Sequence, residues 1–266
     1  MIQRAREKGL AAIGFADHIT PHPVPGCPFY DGQRPHLLVA LRDEIAEIPK
    51  TEIDGIGILV GVEADYVLAG RGCLDQALLS QVDYVVCGAS HFHLPGAPQP
   101  RDDAPRSKAE LMLRMAREAL GMSAVSIWAH PFDCSRMRPL APILETVSED
   151  ALAALIDLAN SQEMAIEVNG GAGLQEEYRR AMAPFYGLAR EMGARFTITA
   201  DAHHPKDLDR LDLALDWARE MGMGDRDLLA ASELQRRQRR KLSALPEPTL
   251  ENALKALLSD HSQERL

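Results

Sequence analysis

The chain has 266 residues, 46% of them hydrophobic and 26% charged, with a formal net charge of −10. That length and composition suit one globular domain with a sizeable core. The acidic balance excludes a non-specific nucleic-acid binder, which needs a basic surface, and no apolar run is long enough to span a membrane.

The opening stretch, "MIQRAREKGL", is polar, helical in pattern and without a signal-peptide core. "LAAIGFA" (10–16) then reads as a strand, followed by "GIGILVGV" (55–62), "DYVVCGA" (83–89), "AVSIWA" (124–129), "MAIEV" (164–168) and "RFTITA" (195–200). Short, nearly continuous apolar runs are the pattern of parallel strands buried on both faces. Amphipathic helices are expected between most of them, over 36–48, 107–120, 149–162, 174–192 and 207–221. Ser107 and Ser148 are the expected N-caps, and Gly121 and Gly193 the expected stops. Alternating strand and helix implies a parallel α/β sheet covered by helices, as a barrel or an open doubly wound sheet.

Three long loops, 18–35, 91–106 and 131–147, are rich in Pro and Gly, and each follows a strand. Long loops at the C-terminal ends of strands are the pattern of a barrel enzyme. The four cysteines, Cys27, Cys73, Cys87 and Cys134, form no C-x-x-C pair, so a reducing cytoplasm is the expected compartment. Residues 1–266 read as a single domain in which 231–266 form a helical tail, "LQRRQRRKLSALPEP" and then "TLENALKALL". The basic run in that tail reads as a solvated helix face.

Each strand brings a metal-ligating residue type to the same rim. In order these are Asp17 and His18, Glu63, His91, His130, Glu167 with Asn169, and Asp201 with His203. A lone histidine at a strand end is usually hydrogen-bonded and structural. Placement on all six strands is different, because clustered carboxylates and imidazoles repel or desolvate one another unless positive charge sits between them. A divalent cation supplies it, and mixed imidazole and carboxylate ligands suit Zn, Mn or Fe(II). More than one ion with a bridging carboxylate would suit phosphoryl chemistry.

The ordered phrases "ADH", "GVEADY", "ASHFH", "AHPFD" and "ADAHHP" resemble the PHP (polymerase and histidinol phosphatase) family, in its histidinol-phosphatase-like branch, over roughly residues 5 to 210. The resemblance implies a distorted (β/α)7 barrel with as many as three divalent ions at the C-terminal rim, and hydrolysis of phosphate esters. It implies Glu63 as a bridging ligand, His91 and His130 as its partners on one ion, His18 and His203 on another, and Asp201 between sites. His36 is either a further ligand or the start of the following helix. His22, His93 and His204 have no firm counterpart and are expected near the ligands or facing substrate. The family's first strand, ending in D-x-H-x-H, has no match, and six strands stand where the family has seven. Either the chain begins at an internal methionine or one ion site has been shed. The first is expected, since losing a strand exposes two edges of a buried sheet, and fewer ions are then expected here.

The reaction so implied is hydrolysis of a small phosphomonoester, such as histidinol phosphate, by a metal-activated water. Asp201 and His203 are the candidates to protonate the leaving group. Arg34, Arg101, Arg136, Arg138 and Lys206 are candidates to meet the phosphate, Arg136 and Arg138 foremost because they follow His130 closely. His204 joins them as a substrate-facing residue. Glu167 reads as a residue orienting a ligand. "VNGGAG" (168–173) reads as a phosphate cradle or a plain turn, and Phe29 and Tyr30 as substrate contacts or loop anchors. Two other readings compete: a non-catalytic binding module on the same fold, and a phosphodiesterase or nuclease.

Overall fold

The computed structural model describes residues 1–28, 31–32, 34–68, 74–134 and 137–244. Arg136, Phe29, Tyr30, Cys73 and the tail beyond residue 244, including "TLENALKALL", lie outside the described residues.

Six strands form the sheet: β1 (Ala12–Ile19), β2 (Gly57–Ala64), β3 (Tyr84–Cys87), β4 (Ile127–Trp128), β5 (Ala165–Asn169) and β6 (Arg195–Thr199). They pair in chain order and every pairing is parallel. The helices are α1 (Ile2–Glu7), α2 (Pro35–Glu47), α3 (Lys50–Ile53), α4 (Gln76–Leu79), α5 (Pro105–Leu120), α6 (Leu140–Leu144), α7 (Glu149–Ser161), α8 (Glu176–Glu191), α9 (Arg210–Glu220) and α10 (Ala231–Ala244). The result is a parallel half-barrel. Among the described residues β1 and β6 do not pair with each other, and the lower part of the outer edge of β6 is taken by Asp227–Leu229 through Phe196.

The six apolar runs are all strands, but their ends move. β1 continues to Ile19 and β2 to Ala64, because their pairing carries on through His18 opposite Glu63. Ladder hydrogen bonds, not hydrophobicity, set these ends. β4 shrinks to two residues. Helix α5 begins at Pro105, a residue preset for the first helical position, so Ser107 is buried inside the first turn and does not cap it. Ser148 does cap α7, its hydroxyl accepting from the Ala151 N–H.

The central strands β3 to β5 are buried throughout, while the edge strands β1 and β6 are only partly covered. Outside, Trp128, Phe132, Phe185, Tyr186 and Trp217 form a run of edge-to-face rings under α8 and α9. Inside, Leu59, Tyr84, Val86, Ile127, Ala165, Leu229 and Leu234 pack together. Tyr84 lies flat across β1 and β2, which is why both strands carry glycine there. A Cβ on Gly61 would sit 2.6 Å from the ring and one on Gly14 2.5 Å from the hydroxyl. Helix α10 closes the N-terminal end of the strands: Ser126 donates to Gln238, Lys241 donates to the Val125 carbonyl, and Gln235 meets Asp83 at 3.3 Å. The open end of the half-barrel is the opposite one. None of the described helices is long and apolar enough to cross a membrane.

Candidate metal centre

Strand alternation sets which side chains reach the interior. On β1, Ala12, Gly14 and Ala16 face Tyr84, and His18 continues that face. On β2, Leu59 and Gly61 do the same, and Glu63 continues it. Two residues beyond Glu63, Asp65 keeps the same side. Its backbone N–H is tied to the Ile19 carbonyl at 2.8 Å, and the next N–H, that of Tyr66, to Gly88 at 2.8 Å. His91 follows β3 and His130 follows β4.

These side chains converge. His18 Nδ1 lies 2.8 Å from Asp65 Oδ2 and 3.8 Å from Glu63 Oε2. His91 Nδ1 lies 3.0 Å from Asp65 Oδ1, and His130 Nε2 lies 3.2 Å from Glu63 Oε1. The His91 ring is 5.7 Å from that of His18 and 5.6 Å from that of His130, centre to centre. One ligand atom each from His18, Glu63, Asp65 and His91 falls within 4.8 Å of all the others. Gly88 forms the floor: a Cβ there would stand 3.1 to 3.2 Å from His91, Asp65 and His130.

The electrostatics are those of a site lacking a central charge. Burial by itself would lower the pKa of His18, but the hydrogen bond and charge of Asp65 outweigh it and bring it to about 9. Burial likewise opposes charge on His130, and Glu63, with Glu167 and Asp201 behind it, raises it to about 10. Burial works to raise Asp65, yet His91 and His18 bring it below the ordinary carboxylate value. Protons on His18 and His130 therefore offset the carboxylates at neutral pH.

A divalent cation fits the same atoms. Asp65 Oδ1 and His91 Nδ1 are buried and have no hydrogen-bond partner, although they lie only 3.0 Å apart. A cation beside them would satisfy both atoms at once. Buried orphan donors and acceptors are costly otherwise.

The remaining predicted residues are arranged differently. Asp201 has positive φ (48°) and His130 does too (23°), so both loops leave their strands in conformations that side chains rarely adopt. The Asp201 side chain is 39% exposed and the His203 imidazole 73%, with 3.8 Å between Asp201 Oδ1 and His203 Nδ1. Asp201 faces the cavity that holds His18, Glu63 and His130, and also a smaller one of about 240 Å3 formed with Ser90, His91, His93 and Arg138. His36 is exposed in the first turn of α2 and is not part of the ligand group among the described residues. His204 is engaged locally, accepting from the Lys206 N–H. Arg138 is clasped by Asp133 and Glu177, and Glu177 also accepts from the Leu140 N–H at 2.6 Å. Arg34 lines the larger cavity beside His18 and donates to the His18 carbonyl at 3.1 Å.

Four further contacts complete the site. Glu167 is buried, and burial raises its pKa. Its Oε2 accepts from the His130 backbone N–H at 2.5 Å and from Asn169 at 3.1 Å, and its Oε1 from Thr199 at 2.7 Å. Ser90 Oγ lies 3.1 Å from His130 Nδ1. Sequence reasoning missed Asp65 and Ser90. Asp65 did leave a signal, since Glu63 and Asp65 two apart must share one face of a continuing strand.

No family model matches the chain. A curated probable phosphatase of Caldanaerobacter subterraneus subsp. tengcongensis is 27% identical over 240 residues, covering 87% of this chain and 81% of the relative. A probable phosphatase of Vibrio parahaemolyticus is 25% identical over 236 residues, covering 86% and 80%. Among solved structures, histidinol phosphate phosphatase from Lactococcus lactis, complexed with zinc, L-histidinol and phosphate, superposes with a TM-score of 0.56 at 16% identity, over 86% of this chain and 88% of that one. At that identity the likeness is one of fold.

Proposed function

We propose that this protein is a metal-dependent phosphatase that hydrolyses a small phosphomonoester, with histidinol phosphate as the type of substrate. The observation that carries the reading is the convergence of His18, Glu63, Asp65, His91 and His130 on one buried point at the C-terminal rim. Two relatives with phosphatase names and a fold shared with a zinc-containing histidinol phosphate phosphatase support it. We infer further that the half-barrel is of the PHP type, and that the seventh strand position of that barrel corresponds to the gap between β1 and β6. A cavity of about 800 Å3 lies there, lined inside by Ala12, Gly14, Ala16, Thr197 and Thr199.

Bound divalent ions would supply positive charge to the phosphate oxygens and acidify an attacking water. His91, Asp65 and His130 would hold such ions together with Glu63, which lies within 3.8 Å of both His18 and His130. Asp201 and His203 stand on the exposed side, where an alcohol can leave, and either can pass it a proton. Arg34 lines the larger cavity, paired with Asp31 at 3.1 Å, and could turn to a phosphate there; Arg138 is paired with two carboxylates, Asp133 and Glu177.

Purified protein, stripped and then reloaded with Zn, Mn or Fe(II), should hydrolyse p-nitrophenyl phosphate and histidinol phosphate only when loaded. It should prefer monoesters over bis-p-nitrophenyl phosphate. Equal rates with and without metal would refute the reading, and a preference for the diester would replace it with a phosphodiesterase.

A further inference from the structure

We propose that Glu167 and Ser90 are positioning residues for His130, Glu167 fixing its backbone and Ser90 its ring, so that Nε2 is presented to the point that Glu63 faces. The inference rests on the reading of His130 as a ligand. Its ground is the contacts themselves.

His130 is not held by regular structure. β4 ends at Trp128, the last ladder-like bond is Ala129 N–H to Cys87 at 2.9 Å, and His130 then turns to φ 23°. A backbone in that region reverts to an ordinary conformation unless its surroundings prevent it. The carboxylate of Glu167 does so from the neighbouring strand, accepting from the His130 N–H at 2.5 Å. Glu167 is itself immobile: Thr199 donates to its other oxygen from β6, Asn169 donates from its own strand, and Tyr186 donates to its carbonyl at 2.6 Å. One side chain thus ties the ends of β4, β5 and β6 to a single backbone N–H.

The ring is fixed separately. Ser90 is buried, and its Oγ meets His130 Nδ1 at 3.1 Å. A hydroxyl accepting from Nδ1–H leaves Nε2 as the ring atom facing Glu63, 3.2 Å away. Orienting contacts of this kind are worth about 10- to 100-fold in metal affinity.

The experiment measures zinc affinity of the full chain, by competition with a chromophoric chelator, for S90A, S90T, E167A and E167Q, each alone and combined with H130A. S90A and E167A should weaken zinc binding about 10- to 100-fold. S90T keeps the hydroxyl and should stay within about threefold. E167Q should also stay within about threefold, because the amide oxygen can accept from His130 and Asn169 while its nitrogen donates to the Thr199 hydroxyl. In the H130A background neither S90A nor E167A should weaken zinc further, since nothing remains to position. Wild-type affinity in S90A and E167A would overturn the proposal, and so would an equal loss with His130 already removed. A loss in E167Q as large as in E167A would overturn the Glu167 half, making charge its role. If E167A does not fold, S90A against S90T decides. H130A with unchanged zinc affinity would instead refute the metal-centre reading, and the clamp with it; H130A weakened with S90A unchanged refutes the clamp alone.

Discussion

The two sides of the rim are built to different standards. On the side of β1 to β4, His18, Glu63, Asp65, His91 and His130 are buried or nearly so, and their polar atoms touch within 2.8 to 3.8 Å. On the side of β6, Asp201 and His203 are 39% and 73% exposed, 3.8 Å apart, and anchored mainly through the Asp201 carbonyl. The difference follows from where the side chains sit: His18 and Glu63 stand opposite each other in the β1–β2 ladder, whereas Asp201 and His203 lie in the loop beyond the end of β6. Buried, mutually oriented donors make a tight and selective ion site. Exposed ones suit groups that must meet solvent and move protons.

Substitutions can break that contrast, the buried side first. Glu63→Gln or His91→Ala should abolish tight zinc binding and lower phosphomonoester turnover at least about 100-fold together. Asp65→Asn belongs in the same class, because it strips the shared carboxylate from two imidazoles. Chelator competition and kcat on one set of purified variants test this, and wild-type zinc affinity in Asp65→Asn would remove Asp65 from the centre.

On the exposed side, Asp201→Asn and His203→Ala should separate the two readouts. Turnover should fall about 10²- to 10⁴-fold, the range for lost acid–base assistance, while the most tightly held zinc remains. Loss of that zinc in His203→Ala would mean the two sides form one unit and the contrast is false.

A smaller effect concerns Arg138. Its guanidinium is saturated by Asp133 and Glu177 and lies over the Tyr178 ring at 5.8 Å. Arg138→Met should therefore cost stability, about 1–3 kcal/mol from the two charge-assisted bonds lost, and lower Tm by a few degrees. The KM for a phosphomonoester should change less than about twofold. A tenfold rise in KM without a change in Tm would instead make Arg138 a phosphate contact.

Much of this arrangement is written locally in the sequence. All six strands follow from their apolar runs, and the histidines at 18, 91 and 130 stand within two residues of the ends of those runs. What is not legible depends on partners far along the chain. Asp65 looks like an ordinary loop acid until burial places it between His18 and His91. Arg138 looks free until Glu177, 39 positions away, closes on it. His36 was ambiguous between ligand and helix start, and the structure puts it in the first turn of α2, facing solvent. Ser107 resembles a cap, but the proline two residues earlier starts the helix.

The smallest effect sharpens the comparison through pH. In metal-free protein the buried side carries its own positive charge, as protons on His18 and His130. Burial opposes those protons, but Asp65 and Glu63 outweigh it and hold the two pKa values at about 9 and about 10. An unfolded histidine titrates near 6.5. Both folded values are raised, so the stability they contribute is fully present below pH about 6.5 and is lost as pH rises through about 9 to 10. The Tm of chelator-treated protein should accordingly fall between about pH 7 and about pH 10. Zinc takes the place of those protons and binds deprotonated rings, so its affinity grows over the same window. The gap between zinc-loaded and chelated Tm should widen with pH. His130→Gln, which removes one of the two raised groups, should flatten the slope. Calorimetric scans of the chelated proteins across that range decide the matter: a Tm that stays level or rises would show that the buried imidazoles are not the proton-bearing partners of Glu63 and Asp65.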